Sequence, residues 1–147
     1  MALISLTCFR EIVAVASSGT TNLHRKGFWL PIPGKSGLRL LAEQNLAKAH
    51  YAASLLKSIS GVSTPFPGAF FNEFVVNVPD GADHLLAELR RQKILGGLHL
   101  RDFYPELENH LLVCCTELVS KAAMDRMAEG YRQFMAGTRR NATAFSS

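Results

Sequence analysis

The chain has 147 residues, the length of one typical domain; 48% of them are hydrophobic and 19% are charged. This composition excludes an intrinsically disordered chain, because it supplies enough apolar surface to offset the entropy that folding removes. The net charge of +4 comes from cations scattered along the sequence. No run of them is dense enough to predict a nucleic-acid-binding protein.

Neither the cysteines nor the apolar runs point to export or to a membrane. The three cysteines, Cys8, Cys114 and Cys115, are odd in number and lack a CxxC spacing. They favour a reducing compartment over a disulfide framework. No apolar run reaches the roughly 18–20 residues of a membrane span, and the N-terminal run lacks the pattern of a signal peptide. We therefore expect a cytoplasmic protein that does not bind membranes.

The regular part of the sequence begins near residue 34, and residues 1–33 form a leader that is poorly interpretable. Apolar residues at three- and four-residue steps predict a first helix over residues 37–58, which Gly61 ends. Residues 70–78 are rich in aromatic and β-branched types and predict a strand. Alternation along that strand gives it one apolar face, made of Phe74, Val76 and Val78, and a second face made of Glu73, Val75 and Asn77.

The second half of the sequence predicts two more helices and a second main strand. Helical periodicity continues to about Lys93, and Gly96-Gly97 stops that helix; residues 98–104 then form a short extended or loop piece. Residues 111–116 read as a buried strand, and Ser120 caps the last helix. Residues 137–147 are expected to form a flexible tail. This order predicts an α+β fold, a small and mostly antiparallel sheet with helices packed on one face.

Four blocks of sequence resemble one enzyme family, in the same order as in that family. The blocks lie in residues 34–52, 70–75, 94–107 and 111–117 and include GKSGLR, FFNEFV, ILGGL with YPEL, and LLVCCTE. They resemble the C-terminal region of the decarboxylating glycine dehydrogenases, the P-proteins of the glycine cleavage system, and subunit 1 of the split bacterial form most of all. The resemblance covers about residues 34–136 and implies the small C-terminal α+β domain of this class of pyridoxal-phosphate enzyme.

The resemblance also implies an activity and partners. The family decarboxylates glycine with pyridoxal phosphate and passes the aminomethyl group to the lipoyl arm of the H-protein. In the split form the lysine that holds the cofactor belongs to subunit 2. We therefore expect no catalytic residue, cofactor site or metal site in this chain alone, and we expect subunit 2 and the H-protein as partners.

Residues 1–33 do not share the resemblance, which leads us to expect a truncated or frame-disrupted gene product or an unrelated leader. A second interpretation stays open. The chain is then a stand-alone α+β module that binds a protein or regulates one, and the family motifs serve only to stabilise its fold.

Five polar residues are candidates for a ligand-facing or interface role. Asn72 and Glu73 interrupt an apolar strand, so each is expected to bond to nearby backbone or to face the missing large domain. Thr116 and Glu117 follow the other strand in the same way. Arg101 lies in a loop, where it can reach a substrate or another subunit.

Aromatic side chains near the strands are expected to remain exposed where a large domain would cover them, and exposed apolar patches mark interaction sites. We therefore expect self-association or association with a subunit 2-like partner. These side chains are Phe28, Trp29, Phe66, Phe70 and Phe71.

Overall fold

A three-stranded antiparallel sheet and three helices make up the part of the chain that a computed structural model describes, residues 34–79 and 81–144, with side chains over 39–79 and 81–138. The elements in chain order are α1 (Gly34–Lys57), β1 (Glu73–Asn77), α2 (Ala82–Arg91), β2 (Leu98–His99), β3 (His110–Cys114) and α3 (Lys121–Ala144). Two short 3-10 helices, Leu100–Asp102 and Pro105–Leu107, lie between β2 and β3.

The chain divides into two compact units, residues 1–40 and residues 41–147. The described part of the first unit is the beginning of α1. Residues 1–33, predicted to form a leader, lie outside the described residues. None of the helices in the described ranges is long and apolar enough to cross a membrane.

The sheet has the strand order β1-β3-β2, so the longer strands lie side by side and β2 lies at one edge. Phe74 pairs with Val113 across β1 and β3, and Val76 pairs with Leu111. These four side chains are buried on one face, as alternation along β1 predicts. The predicted α+β class, a small antiparallel sheet with helices packed on one face, is confirmed.

The main core lies between that apolar face and the three helices. Helix α1 contributes mostly small side chains to this core. The buried residues contributed by each element are Ala49, Ala52 and Leu56 of α1, Leu85, Leu86 and Leu89 of α2, and Met124, Ala128 and Tyr131 of α3.

The end of α2 differs from the prediction. The helix ends at Arg91, before Gly96-Gly97, and Lys93 follows it in a left-handed conformation with φ of 59°. The Ile94 N–H bonds to the Leu89 carbonyl at 2.8 Å and the Lys93 N–H bonds to the Arg90 carbonyl at 2.9 Å. These bonds form a Schellman motif, whose left-handed position is usually occupied by glycine. Sequence therefore placed this helix end too late, because a lysine occupies the usual glycine position.

The two glycines that were expected to stop α2 have other roles. Gly97 has φ of 137°, and a Cβ there would lie 3.0 Å from the Leu112 carbonyl oxygen. Gly96 makes room for Leu89, because a Cβ on Gly96 would lie only 2.3 Å from Leu89 Cδ1. The Gly96 carbonyl also accepts a 2.6 Å hydrogen bond from the buried Tyr131 hydroxyl, which joins this turn to α3.

Helices α2 and α3 pack in opposite directions. Gly81, next to the start of α2, lies against Phe134, since a Cβ on Gly81 would be 2.8 Å from Phe134 Cζ. Gly130, one turn earlier in α3, lies against Leu89 near the end of α2, and a Cβ there would be 2.4 Å from Leu89 Cδ2. The residues that precede Gly130 in α3 therefore lie toward and beyond the C-terminal end of α2.

The last helix begins as predicted and ends later. Ser120 caps it, because the Ser120 hydroxyl accepts a 3.1 Å hydrogen bond from the Ala123 N–H. The helix then continues through Gly137 to Ala144, where sequence predicted a tail over residues 137–147. Helix-forming residues on both sides of Gly137 outweigh the single glycine.

Candidate functional site

A charged cleft of about 310 Å³ opens where α2 begins and β2 ends. Asp83 lies in the first turn of α2, His99 is the last residue of β2, and Arg101 lies in the 3-10 helix that follows. Pairing of β2 with β3 places His99 opposite Leu111, at the end of the sheet that faces Asp83. His84, Glu108 and Asn109 line the cleft with these three residues.

Asp83 is held by two neighbours, Arg101 and His99. Arg101 Nη1 lies 2.8 Å from Asp83 Oδ2, and Arg101 Nη2 lies 3.3 Å from Asp83 Oδ1, so the guanidinium contacts both carboxylate oxygens. His99 Nδ1 lies 2.9 Å from Asp83 Oδ1. This triad joins the start of α2 to the edge of the sheet.

His99 is buried, with 7% of its surface exposed, and both of its ring nitrogens face acceptors. Its Nδ1 faces the Asp83 carboxylate, and its Nε2 lies 2.5 Å from the Glu108 carbonyl oxygen. A carboxylate and a carbonyl can only accept hydrogen bonds. A ring nitrogen donates to either acceptor only when it carries the hydrogen.

The electrostatics of the cleft favour the charged form of Asp83. Desolvation would raise the pKa of Asp83, but the charges and hydrogen bonds of Arg101 and His99 outweigh it and lower that pKa below its ordinary value of 3.8. The position of Asp83 in the first turn of α2 adds a favourable interaction with the helix dipole. The carboxylate thus stays ionised and paired.

The charged side chains of the cleft bind one another. The residues that line it include no serine, threonine, cysteine or lysine, and the carboxylate of Asp83 is already bonded to Arg101 and His99. The Arg101 fork is occupied by Asp83. The cluster therefore orients the chain at this end of the sheet, and the sequence analysis identified only Arg101 of its three members.

The other predicted residues lie at the opposite end of the sheet, beside α1. The Glu117 N–H donates a 2.5 Å hydrogen bond to Asn45 Oδ1, and Lys48 Nζ donates to the Glu117 carbonyl. The Thr116 carbonyl accepts a 3.1 Å hydrogen bond from the Val119 N–H. The segment after β3 is thus held against α1 by bonds to its backbone.

Asn72 and Glu73 belong to the same end of the sheet. The Asn72 carbonyl accepts a 2.9 Å hydrogen bond from the Cys115 N–H, and Asn72 Nδ2 lies 3.8 Å from Cys114 Sγ. Both Asn72 and Glu73 are half-buried. Asn72 therefore contacts Cys114 at the end of β3 and Cys115 just after it, and its side chain meets a thiol and not the backbone. The structure does not bring Arg101 to this group.

Cys115, just after β3, and the lysines lie in different surroundings. Cys115 is buried in the main core, and burial raises its pKa to about 11, which keeps the thiol protonated. Lys48 is half-buried against Glu117, and Lys121 Nζ lies 2.8 Å from Asp125 Oδ2. The described lysine side chains all lie outside the lining of the charged cleft, so the cleft does not fit a cofactor that bonds to lysine.

The aromatic residues expected to be exposed behave in two ways. Phe66 and Phe71 are 49% and 47% exposed. Phe70 is partly buried against the core, which corrects the prediction for this residue. Its ring stacks on His50 with centroids 4.3 Å apart and lies 5.4 Å from the ring of Phe74.

The same prediction for Phe28 and Trp29 lies outside the described residues.

The chain is similar to several curated bacterial proteins, although no protein-family model matches it. Three relatives are each named probable glycine dehydrogenase (decarboxylating) subunit 1. The one from Solibacter usitatus is 50% identical over 100 residues, that from Desulfitobacterium hafniense 44% over 97, and that from Geobacillus thermodenitrificans 47% over 93. These matches cover 67%, 66% and 63% of this chain but only 21%, 22% and 20% of the relatives. The matched region thus spans about a fifth of their length.

A solved structure shows the same relationship in three dimensions. It is described as glycine decarboxylase (P-protein) of the glycine cleavage system in an inhibitor-bound form, and it superimposes with a TM-score of 0.59 at 27% sequence identity. The match covers 67% of this chain and 22% of the solved chain.

Proposed function

This chain is homologous to one part of glycine dehydrogenase (decarboxylating) subunit 1, and we propose that it acts as the small α+β portion of that subunit in the glycine cleavage system. The observation that carries the proposal is the 50% identity over 100 residues with the relative from Solibacter usitatus. The helix-covered antiparallel sheet supports it, because that fold matches a portion of a solved glycine decarboxylase.

We propose that the portion is C-terminal in the subunit and that the isolated chain is inactive. The charged cleft supports inactivity, since Asp83 and Arg101 pair with each other and no lysine that could bond to pyridoxal phosphate lines the space. Pyridoxal phosphate would then be held elsewhere in the full assembly. Borohydride treatment of the chain with an equimolar amount of pyridoxal phosphate should modify no single lysine in preference to the other exposed lysines, and a stoichiometric adduct on one lysine would contradict this assignment.

The partners follow from the same proposal. The chain would associate with the remainder of subunit 1, and through it with subunit 2 and the lipoyl H-protein. The half-exposed Phe66 and Phe71 support an apolar contact of this kind or self-association. A cytoplasmic location is consistent with the free cysteines Cys114 and Cys115.

A binding experiment tests the proposal. Solibacter usitatus subunit 1 is prepared at full length and with its 100 matched residues deleted, and each form is incubated with this chain on an affinity resin. The chain should be retained by the deleted form and not by the full-length form, in which the native segment already occupies the position. Equal retention by both forms would contradict the proposal. Retention by neither form would also contradict it and would favour the stand-alone module.

A further inference from the structure

The C-terminal end of α2 carries exposed cations. Arg90 and Arg91 occupy its last turn, and Lys93 follows in the Schellman motif. Arg91 Nη1 lies 2.9 Å from Glu88 Oε2, in a pair whose arginine side chain is 78% exposed. Across residues 34–79 and 81–144, no carboxylate pairs with Arg90 or Lys93.

Helix α3 adds a fourth cation at the same end. Because α2 and α3 run in opposite directions, Arg126 lies one helical turn beyond Gly130, past the point where α2 ends. A Cβ on Gly130 would lie 3.7 Å from Gln92 Oε1, so Gly130 lies level with the residue that follows the end of α2. Gly130 is buried under α2, whereas Arg126 is exposed and has no ion-pair partner among the described side chains.

The cationic patch, defined as Arg90, Arg91, Lys93 and Arg126, is not explained by helix stability alone. The helix dipole favours cations in the last turn of α2, which accounts for Arg90 and Arg91. It does not require a lysine at φ of 59°, where glycine is the favoured residue, and it does not require Arg126 on another helix. Residues held in unfavoured backbone conformations concentrate at functional sites.

We propose that the cationic patch is a docking surface for a carboxylate-rich protein surface. Leu95, two residues after Lys93 in sequence, is an apolar residue with 77% of its surface exposed. A cationic surface with an apolar neighbour suits another protein, because phosphate backbones are bound by longer stripes of Lys and Arg. This inference goes beyond the proposed function and does not depend on it.

Binding of a labelled poly-L-glutamate peptide at low salt, followed by fluorescence anisotropy, tests the proposal. The variant Lys93→Gln/Arg126→Gln removes two patch charges. The control Lys57→Gln/Arg132→Gln makes the same change in net charge elsewhere, at the exposed Lys57 and at Arg132, which pairs with Glu129. The patch variant should bind the peptide about tenfold more weakly, and the control variant less than about twofold more weakly. Equal weakening would overturn the proposal, as would tighter binding of the native chain to a DNA duplex of equal charge.

A single substitution separates the patch from fold stability. Lys93→Gly suits the left-handed position, so it should raise the urea midpoint while it weakens peptide binding. A lower midpoint would contradict the assignment of Lys93 to an unfavoured conformation. Unchanged peptide affinity would remove Lys93 from the docking surface and overturn the proposal.

Discussion

Replacement of Gly130 by alanine tests the packing of α2 against α3. The added Cβ would lie 2.4 Å from Leu89 Cδ2, closer than any van der Waals contact. Leu89 is fully buried, and its other methyl, Cδ1, fills the space above Gly96. Rotation of the leucine away from position 130 would therefore drive it into the Gly96 backbone.

Two opposing effects set the magnitude. Glycine to alanine within a helix normally stabilises by about 1 kcal/mol. Overpacking of a filled core costs about 1–3 kcal/mol, and the confinement of Leu89 on both sides favours the upper part of that range. We expect Gly130→Ala to lower the free energy of unfolding by about 1–2 kcal/mol.

Urea unfolding followed by circular dichroism measures this change, with Gly137→Ala as the control. Gly137 lies in the same helix, but a Cβ there meets nothing within 4 Å. The control should be stabilised by up to about 1 kcal/mol, so the two variants should move in opposite directions. If Gly130→Ala were as stable as Gly137→Ala, the close packing of Leu89 between the two glycines would be refuted.

Three further predictions concern the core and the charged cleft. Tyr131→Phe leaves the Gly96 carbonyl without its donor and should lower the free energy of unfolding by about 1–2 kcal/mol in urea; no change would mean that the bond contributes nothing. Burial raises the pKa of Cys115 from 9.0 to about 11. The contribution of the buried neutral thiol to the free energy of unfolding is therefore complete below pH 9 and is lost as pH rises through about 11. The native chain should lose about 2–3 kcal/mol more than Cys115→Val over that range, and parallel curves would contradict the shift. The lowered pKa of Asp83 gives stability that is present above pH 3.8 and lost as pH falls below that value. The variant Asp83→Asn should lose less melting temperature than the native chain as pH falls below 3.8, and an equal loss would contradict the pairing of Asp83 with Arg101 and His99.

Local patterns predicted the elements well because each depends on neighbouring residues. The three- and four-residue spacing of apolar side chains identified α1, and alternation identified the buried face of β1. The end of α2 was misplaced because Lys93 adopts the conformation that sequence reasoning assigns to glycine. Gly96 instead accommodates Leu89, a packing requirement that no local pattern reveals.

The charged cleft was largely beyond prediction from sequence. Asp83 and Arg101 are 18 residues apart and meet only because β2 pairs with β3 in the observed register. His99 gave no signal, since its two acceptors come from Asp83 and from the backbone of Glu108. By contrast, the relationship to glycine dehydrogenase subunit 1 was predicted from four sequence blocks and is confirmed. Similarity of this kind can be read directly from the sequence, whereas the contacts of the cleft can be seen only in three dimensions.

Restoration of activity in trans tests the central claim most directly. Solibacter usitatus subunit 1 without its 100 matched residues is combined with subunit 2, the H-protein and pyridoxal phosphate, and carbon dioxide release from glycine is measured with and without this chain. We predict that the chain alone releases none and that its addition restores release up to an equimolar ratio. Release that stays at the level of the deleted form, in an assay where full-length subunit 1 is active, would contradict the account.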